Sequence, residues 1–140
     1  VSSFIRVDDK PVRVRCDIER ADAILCFDAT LLEGRLLAAA HERTLIVVNS
    51  GRPADDFARA LPGHRVIPVD AIAISRRAGL GRIVNSALLG AFARAIGMPP
   101  LAALERTLAE RSPKLTAENL AACGDGYRTV DALLAEEVAA

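Results

Sequence analysis

The sequence is poor in aromatic residues and in cysteine, and it has no excess of charge of either sign. Aromatic residues make up 4% of the 140 residues and hydrophobic residues 51%, so the core must be built from alanine, valine, leucine and isoleucine, as in helices packed on a sheet. Lys plus Arg total 18, as do Asp plus Glu, so long-range attraction to nucleic acid or to an anionic membrane is not expected. We expect residues 1–140 to form a single domain.

The cysteines lack the spacing of a metal or cluster site. Cys16, Cys26 and Cys123 are scattered and form no C-x-x-C pair, so we expect this chain to bind no metal ion or iron–sulfur cluster by itself. Cys26 stands in an apolar run, which predicts that it packs as a small hydrophobic residue. No apolar run reaches the ~18 residues that span a bilayer, and no signal peptide is visible, so we expect a cytoplasmic protein with no membrane partner.

Motifs of self-contained catalysis are also missing. The chain has no G-x-G-x-x-G, no Walker A loop and no H-E-x-x-H, which are the patterns of dinucleotide, phosphate and zinc sites. Ser50 in Asn-Ser-Gly is not the G-x-S-x-G nucleophile elbow, so a small hydrolase acting through Ser50 is the least favoured function. His41 and His64 stand among charged or turn residues, and we predict no catalytic residue in this chain.

Three short apolar runs dominate the first half of the chain. Residues 23–27, 44–48 and 65–69 are each followed by a polar residue, as expected for strands that helices cover on both faces. Helical patterns separate the runs and fill the second half of the chain, which predicts right-handed β-α-β units. The fold class predicted is α/β: an open, mostly parallel Rossmann-like sheet with flanking helices and a helical C-terminal part. Pro68 predicts that the third strand lies at an edge of the sheet or contains a bulge.

Two local patterns predict further elements before and after the first run. Residues 2–7 and 12–16 flank a polar turn, and the second stretch alternates valine with arginine, which predicts an N-terminal β-hairpin. Thr30 and Glu33 have the spacing of a capping box, which predicts the start of a helix.

Glycines interrupt two of the predicted helices. Gly90 lies within the apolar helix predicted for residues 86–96, and Gly124 and Gly126 lie within the last helix. Because glycine inside a helix costs roughly 1 kcal/mol relative to alanine, we predict that another backbone approaches closely at these positions or that the last helix bends.

Polar residues follow the predicted strands, at the edge where ligands bind in open α/β sheets. They are Asp28, Thr30, Asn49, Ser50 and Asp70. Two interpretations stay open: these side chains line a ligand site, or they act only as helix caps and turn residues. The acidic residues Asp55 and Asp56, at the start of the following helix, disfavour a conventional phosphate site there.

Four stretches resemble, in order, motifs of the gamma subunits of pyruvate and 2-oxoacid:ferredoxin oxidoreductases. They are the hairpin residues 4–13, the Asp-Ala-Thr-Leu-Leu turn at 28–32 (with Ala29 in place of the usual proline), the Val-Asn-Ser-Ala-Leu-Leu-Gly-Ala helix from Val84, and the Glu-Asn-Leu-Ala-Ala helix from Glu118 followed by Gly126 and Tyr127. The family's usual starting strand and G-R-G-G-Q-G loop have no counterpart in this sequence. We therefore expect either that the sequence is part of a longer polypeptide or that a partner chain completes the sheet.

The resemblance implies a subunit of an enzyme that oxidatively decarboxylates a 2-oxoacid to an acyl-CoA and passes electrons to ferredoxin. Alpha, beta and delta-type subunits or fused domains would carry the cofactors of the complex: thiamine diphosphate with Mg, and iron–sulfur clusters. The gamma module would help to enclose coenzyme A (CoA) at the active-site entrance. Candidate residues for this rim are Asp28, Thr30, Asn49, Ser50, Arg52 and Asn85, and Arg76, Arg77 and Arg82 are further candidates for the CoA phosphates. The alternative is a stand-alone α/β module that binds a nucleotide or an acyl-CoA without redox partners.

Overall fold

The computed structural model describes residues 1–140 and contains one sheet of three parallel strands. They are β1 (Ala23–Cys26), β2 (Leu45–Asn49) and β3 (Arg65–Val69), in the order β1-β2-β3. Ile24 of β1 pairs with Ile46 of β2, and Val47 of β2 pairs with Ile67 of β3. The predicted α/β class and the parallel sheet are therefore confirmed, and so is the edge position of the strand that contains Pro68.

Helices cover both faces of the sheet, which is why the strands are apolar throughout. On one face, α1 (Gly34–Ala38) and α2 (Ala54–Ala60) pack on a cluster that includes Ile46, Phe57 and Cys26. Cys26 is buried there as predicted.

The other face of the sheet is covered by the helices of the second half of the chain. These are α3 (Ala71–Ala78), α4 (Asn85–Ile96) and α6 (Thr116–Ala139), whose buried residues join those of β2 and β3 in the largest core cluster. A further helix, α5 (Leu101–Arg111), packs on α4 and α6 through Ala93, Leu104 and Cys123. The chain thus forms three layers, with the sheet in the middle.

α4 and α6 cross at backbone contact, and two glycines make this possible. A Cβ atom on Gly90 would lie 1.9 Å from the carbonyl oxygen of Cys123, and one on Gly126 would lie 2.0 Å from that of Ala87. Contacts that short do not occur between real atoms. The predicted close approach is confirmed at these two positions, and the partner backbone belongs to the chain itself.

The predicted N-terminal hairpin is wrong as a pair of strands. Residues 1–20 contain no strand and make no backbone–backbone hydrogen bond. The two predicted strands, residues 2–7 and 12–16, are held together instead by the Arg6 side chain, whose Nη1 donates to the carbonyl oxygen of Cys16 at 2.6 Å. Alternating valine and arginine favours a strand with one buried face, but nothing in this chain packs on that face, and an isolated two-stranded hairpin is marginal in water.

The capping box predicted at Thr30 and Glu33 is also wrong. Asp28 caps a single 3₁₀ turn at Ala29–Leu31, and α1 begins later, at Gly34, with no side-chain cap. The Asp28 carboxylate accepts a hydrogen bond from the Thr30 amide at 2.9 Å. The Thr30 hydroxyl donates to the same carboxylate and therefore does not cap α1.

Candidate functional site

The carboxyl ends of the three strands meet at one rim, and Asn49 ties them together. Its Nδ2 donates to the carbonyl oxygen of Phe27, after β1, at 3.2 Å, and its Oδ1 accepts from the amide of Ala71, after β3, at 3.2 Å. One side chain at the end of the central strand thus bridges both neighbouring loops. Because both ends of the amide are used in this way, Asn49 holds the two neighbouring loops in place and so shapes the rim.

Asp28 and Thr30 form a second local unit on the β1 side of the rim. One carboxylate oxygen of Asp28 accepts from both the amide and the hydroxyl of Thr30, at 2.9 and 2.8 Å. These hydrogen bonds hold the pKa of the Asp28 carboxyl below its usual value. The group therefore stays a carboxylate at neutral pH, and it has no tendency to act as a general acid.

Ser50 and Arg52 form the turn after β2. The Ser50 hydroxyl oxygen accepts from the Arg52 amide at 3.1 Å. Arg52 stacks over the ring of Phe57, with the guanidinium carbon 5.3 Å from the ring centroid, and its Nε lies 3.4 Å from a carboxylate oxygen of Asp56. Its side chain is still 61% exposed, so Phe57 and Asp56 of α2 orient the cation while it remains open to an incoming anion.

Asp70 completes the rim after β3. Its carboxylate caps α3 by accepting from the Ala73 amide at 3.0 Å. A Cβ atom on Gly51 would lie 3.0 Å from the other carboxylate oxygen, so the turns after β2 and β3 are in contact. The structure therefore brings the strand-end residues Asp28, Thr30, Asn49, Ser50, Arg52 and Asp70 together on three adjoining loops.

Asn85 is not joined to this group by any hydrogen bond. It is an exposed residue in the first turn of α4, and its neighbour Ser86 is the residue with a partner. The buried Ser86 hydroxyl donates to Oδ1 of Asn119 at 2.6 Å, and Asn119 Nδ2 donates to the carbonyl oxygen of Leu115. Asn119 was not predicted as a site residue, because its pairing depends on the crossing of α4 and α6.

The other candidate arginines are free of ion pairs. Arg76 and Arg77 are exposed in the last turn of α3, and Arg82 is exposed in the loop before α4. None of the three lies within salt-bridge distance of a carboxylate.

The rim contains no nucleophile beside a base. His41 and His64 precede β2 and β3, so they lie toward the opposite ends of the strands from Ser50. Burial raises the pKa of the Cys26 thiol and raises that of Cys123 to about 11, which makes both poor sources of thiolate. The arrangement can hold or orient a ligand, but it offers no acid, base and nucleophile in one place.

No site for a metal or cluster is assembled from the side chains of this chain. No group of three or more His, Cys, Asp or Glu side chains is arranged to hold a metal ion. The three cysteines lie apart: Cys16 is exposed in the N-terminal region, and Cys26 and Cys123 belong to different core clusters. None of the six helices combines the length and the apolar character required to cross a bilayer.

Comparison with known proteins supplies the family. Residues 1–129 match the family model of pyruvate ferredoxin/flavodoxin oxidoreductase. The chain is 26% identical to the common gamma subunit of the pyruvate/ketoisovalerate oxidoreductases of Pyrococcus furiosus, over 94% of this chain and 73% of that protein. It is 30% identical to the gamma subunit of NADH-dependent phenylglyoxylate dehydrogenase of Aromatoleum evansii, over 93% of this chain and 70% of that one.

A solved structure shares the fold. The pyruvate oxidoreductase subunit PORC of Thermotoga maritima superposes with a TM-score of 0.71 at 27% identity, over 79% of this chain and 64% of that one. The predicted resemblance is thereby confirmed, and the chain belongs to the pyruvate ferredoxin/flavodoxin oxidoreductase family, among its gamma (PorC) subunits.

Proposed function

We propose that the chain acts as the gamma subunit of a cytoplasmic, thiamine-dependent 2-oxoacid oxidoreductase that converts a 2-oxoacid and CoA into an acyl-CoA. Ferredoxin is the electron acceptor we propose. The observation that carries this proposal is the strand-end rim: it belongs to a chain of this family, its polar side chains lie together on three adjoining loops, and it contains no catalytic group of its own.

The cofactors of such a complex belong to other subunits. Thiamine diphosphate with Mg would supply the carbanion chemistry of decarboxylation, and iron–sulfur clusters would take up the electrons. The donor sets that these groups need are not present in this chain, where the cysteines are separated and the carboxylates cluster around no common point. We therefore assign both groups to alpha, beta and delta-type partners.

The role of this chain's own residues would be to enclose CoA at the active-site entrance. Arg52 is the best-placed cation at the rim, since Phe57 and Asp56 orient it while more than half of its side chain stays exposed. A guanidinium presents paired N–H donors to phosphate oxygens. Asn49 would act indirectly, by fixing the three loops between which the ligand lies.

Reconstitution of the complex tests the proposal as a whole. The chain is co-expressed with the alpha, beta and delta-type subunits of its own genome, and 2-oxoacid- and CoA-dependent reduction of ferredoxin is measured. We expect activity from the complete set, and none from this chain alone or from the set without it. A stable monomer that binds CoA but is recovered with no thiamine- or cluster-bearing subunit would instead support a free-standing acyl-CoA-binding module.

The role of Arg52 is tested by comparison with Arg59. Both arginines pair with the carboxylate of Asp56 on α2, but only Arg52 belongs to the rim. We expect Arg52→Ala to raise the KM for CoA about tenfold, equivalent to ~1.4 kcal/mol of lost binding, and Arg59→Ala to leave it unchanged. Equal effects of the two substitutions would remove Arg52 from the CoA site.

A further inference from the structure

Unpaired cations gather where α3 ends and α6 begins. Residues 76–85, from the last turn of α3 to the first residue of α4, contain three arginines and no carboxylate. Residues 112–119, which connect α5 to the first turn of α6, add one lysine and one carboxylate. We call these two segments the basic corner. Its charged residues are Arg76, Arg77, Arg82, Lys114 and Glu118. None of them belongs to an ion pair, so this excess of positive charge is not neutralised within the chain.

Contacts between the helices join the two segments of the basic corner into one surface. A Cβ atom on Gly79 would lie 3.4 Å from Cγ of Glu118, so the loop after α3 touches the first turn of α6. At the other end of that loop, the Ser86 hydroxyl donates to Oδ1 of Asn119 at 2.6 Å. The arginines of the first segment and the lysine of the second therefore lie on adjoining loops and helix ends, and all four side chains are exposed.

Leu115, within the basic corner, has a backbone conformation that leucine rarely adopts. Its φ and ψ angles are 55° and 37°, and it is the one residue other than glycine with a positive φ, where a Cβ atom is unfavourable. Its carbonyl oxygen accepts from both the backbone amide and Nδ2 of Asn119, each at 2.9 Å, which fixes this conformation. Glycine would fit the same backbone without strain, so the turn itself does not require the apolar side chain. Strained residues of this kind are typical of functional positions.

The chemistry of the basic corner fits an acidic protein surface better than a small ligand or a nucleic acid. Small ligands are mostly held in concave sites, but neither the cavity among residues 4–17 nor the one between β3 and α6 is lined by a residue of the corner. Nucleic-acid binding typically involves about 6–10 phosphate contacts, and the corner has four cations. Ile83 and Leu115 are 54% and 49% exposed among these cations, which is the pattern of a protein interface with an apolar centre and a polar rim.

We propose that the basic corner docks this chain on another subunit of its complex, on an acidic surface with an apolar pocket for Leu115 and Ile83. This inference rests on the proposed function, which requires partner subunits. The four cations attract the acidic surface and speed the encounter, and the two apolar side chains are buried in the contact. Arg76, Arg77 and Arg82 thereby serve in docking and not at the CoA phosphates.

Binding of the full-length chain to the immobilised alpha, beta and delta-type subunits of its own genome tests the proposal. Arg82→Glu with Lys114→Glu reverses two cations that lie in loops, outside every helix, and should weaken binding at least tenfold at low salt. Added salt should weaken binding of the wild type more than that of this variant. Arg43→Glu with Arg106→Glu is the matched control, since both arginines are exposed and unpaired but lie outside the corner, and it should bind like the wild type.

Substitutions of Leu115 separate its side chain from its backbone conformation. Leu115→Asn keeps a residue that adopts positive φ readily but removes the apolar group, and it should weaken binding at least tenfold. Leu115→Met keeps an apolar side chain and should retain most of the binding. If the wild type binds and both the charge-reversed and the Leu115→Asn variants bind equally well, the docking proposal is wrong and the proposed function stands. If the wild-type chain does not bind these subunits at all, both proposals are wrong.

Hydrogen exchange locates the contact within the chain. In the assembled complex, the amides of residues 79–84 and 112–115 should exchange more slowly than in the isolated full-length chain. Equal protection of these amides in the isolated chain would show that the chain covers the corner itself, which would refute docking. An Arg82→Glu, Lys114→Glu variant that assembles normally but has a raised KM for CoA would place these cations at the CoA phosphates, and that result would also refute docking.

Discussion

The close backbone contact where α4 crosses α6 leads to a specific prediction about stability. Replacing Gly126 with alanine places a Cβ atom 2.0 Å from the carbonyl oxygen of Ala87, where ordinary contact begins at 3.4 Å. The obstacle is the backbone of a neighbouring helix, which no side-chain rotation can move. The two helices must therefore separate locally by about 1.4 Å, the difference between these two distances, or the crossing must tilt.

The magnitude follows from two opposing effects. Overpacking in a close-packed interior typically costs 1–3 kcal/mol. Separating the two helices by about 1.4 Å belongs at the upper end of this range, about 3 kcal/mol, because a gap of 0.5–1 Å already removes a quarter to a half of the dispersion energy of each contact that it opens. Alanine gains about 1 kcal/mol over glycine in helix propensity. We expect a net loss of about 2 kcal/mol, or roughly 8 °C in melting temperature for a domain of this size.

Gly124 is the matched control, two residues away on the same helix. A Cβ atom there would meet only the guanidinium of Arg128, at 2.9 Å, which is the far end of a flexible side chain paired with Asp125 on the surface. Because a surface ion pair contributes less than about 1 kcal/mol, the propensity gain offsets its loss. Gly124→Ala should leave stability unchanged or slightly raised.

The assay is urea unfolding of each variant followed by circular dichroism. Gly126→Ala should lower the midpoint at an unchanged slope, Gly90→Ala should do the same, and the double variant should lose less than the sum, because both changes separate the same pair of helices. If Gly126→Ala and Gly124→Ala unfold at the same urea concentration, the close backbone contact between α4 and α6 does not limit stability, and the prediction is wrong.

Four further predictions concern the rim and the thiols. Asn49→Ala should destabilise the chain by about 2 kcal/mol, because the hydrogen bonds to both neighbouring loops are lost, and urea unfolding measures the change. Thr30→Val should raise the pKa of the Asp28 carboxyl toward its usual value, as followed by NMR titration, since the hydroxyl is one of the donors that lower it. This lowered pKa stabilises the folded chain at pH values above the pKa that Asp28 has in the unfolded chain. The contribution is lost as pH falls through the lower pKa that Asp28 has in the folded chain. Because burial raises the pKa of Cys123 to about 11 from 9.0, the unfolded chain loses this proton first, so stability should fall as pH rises between these values. Cys123→Ala should flatten that part of the stability profile, and at neutral pH Cys16 should be the cysteine that reacts with a thiol reagent in the folded chain.

Much of the fold follows from apolar runs that are long enough to be buried on both faces. The run at residues 44–48 predicts β2, observed at Leu45–Asn49, because a central strand has no other way to cover such a sequence. The same reasoning fails for residues 12–16, where the alternating pattern is equally clear but the chain provides no surface for the valines. A periodic pattern indicates which face a strand would bury, but it does not supply the surface that buries it.

The candidate site was predictable in place but not in detail. Polar residues after buried strands must gather at the carboxyl edge of a parallel sheet, so Asp28, Asn49 and Ser50 were expected to lie together, and they do. That Asn49 bridges both neighbouring loops depends on distances across the sheet, which the linear sequence does not contain. The resemblance of its motif places Asn85 with the rim, but the structure gives it no hydrogen bond to those loops.

The two glycines at the crossing also fix how α4 and α6 are aligned along their axes. Sliding α4 along α6 by a single residue would bring a side-chain carbon into a place that only hydrogen can occupy, so the pair has one permitted offset along the axis. An insertion or deletion inside α4 or α6 that changes this offset would therefore not be tolerated. Close relatives should therefore differ in length at the connections formed by residues 97–100 and 112–115, while the spacing from Gly90 to Ala87, and from Gly126 to Cys123, stays constant.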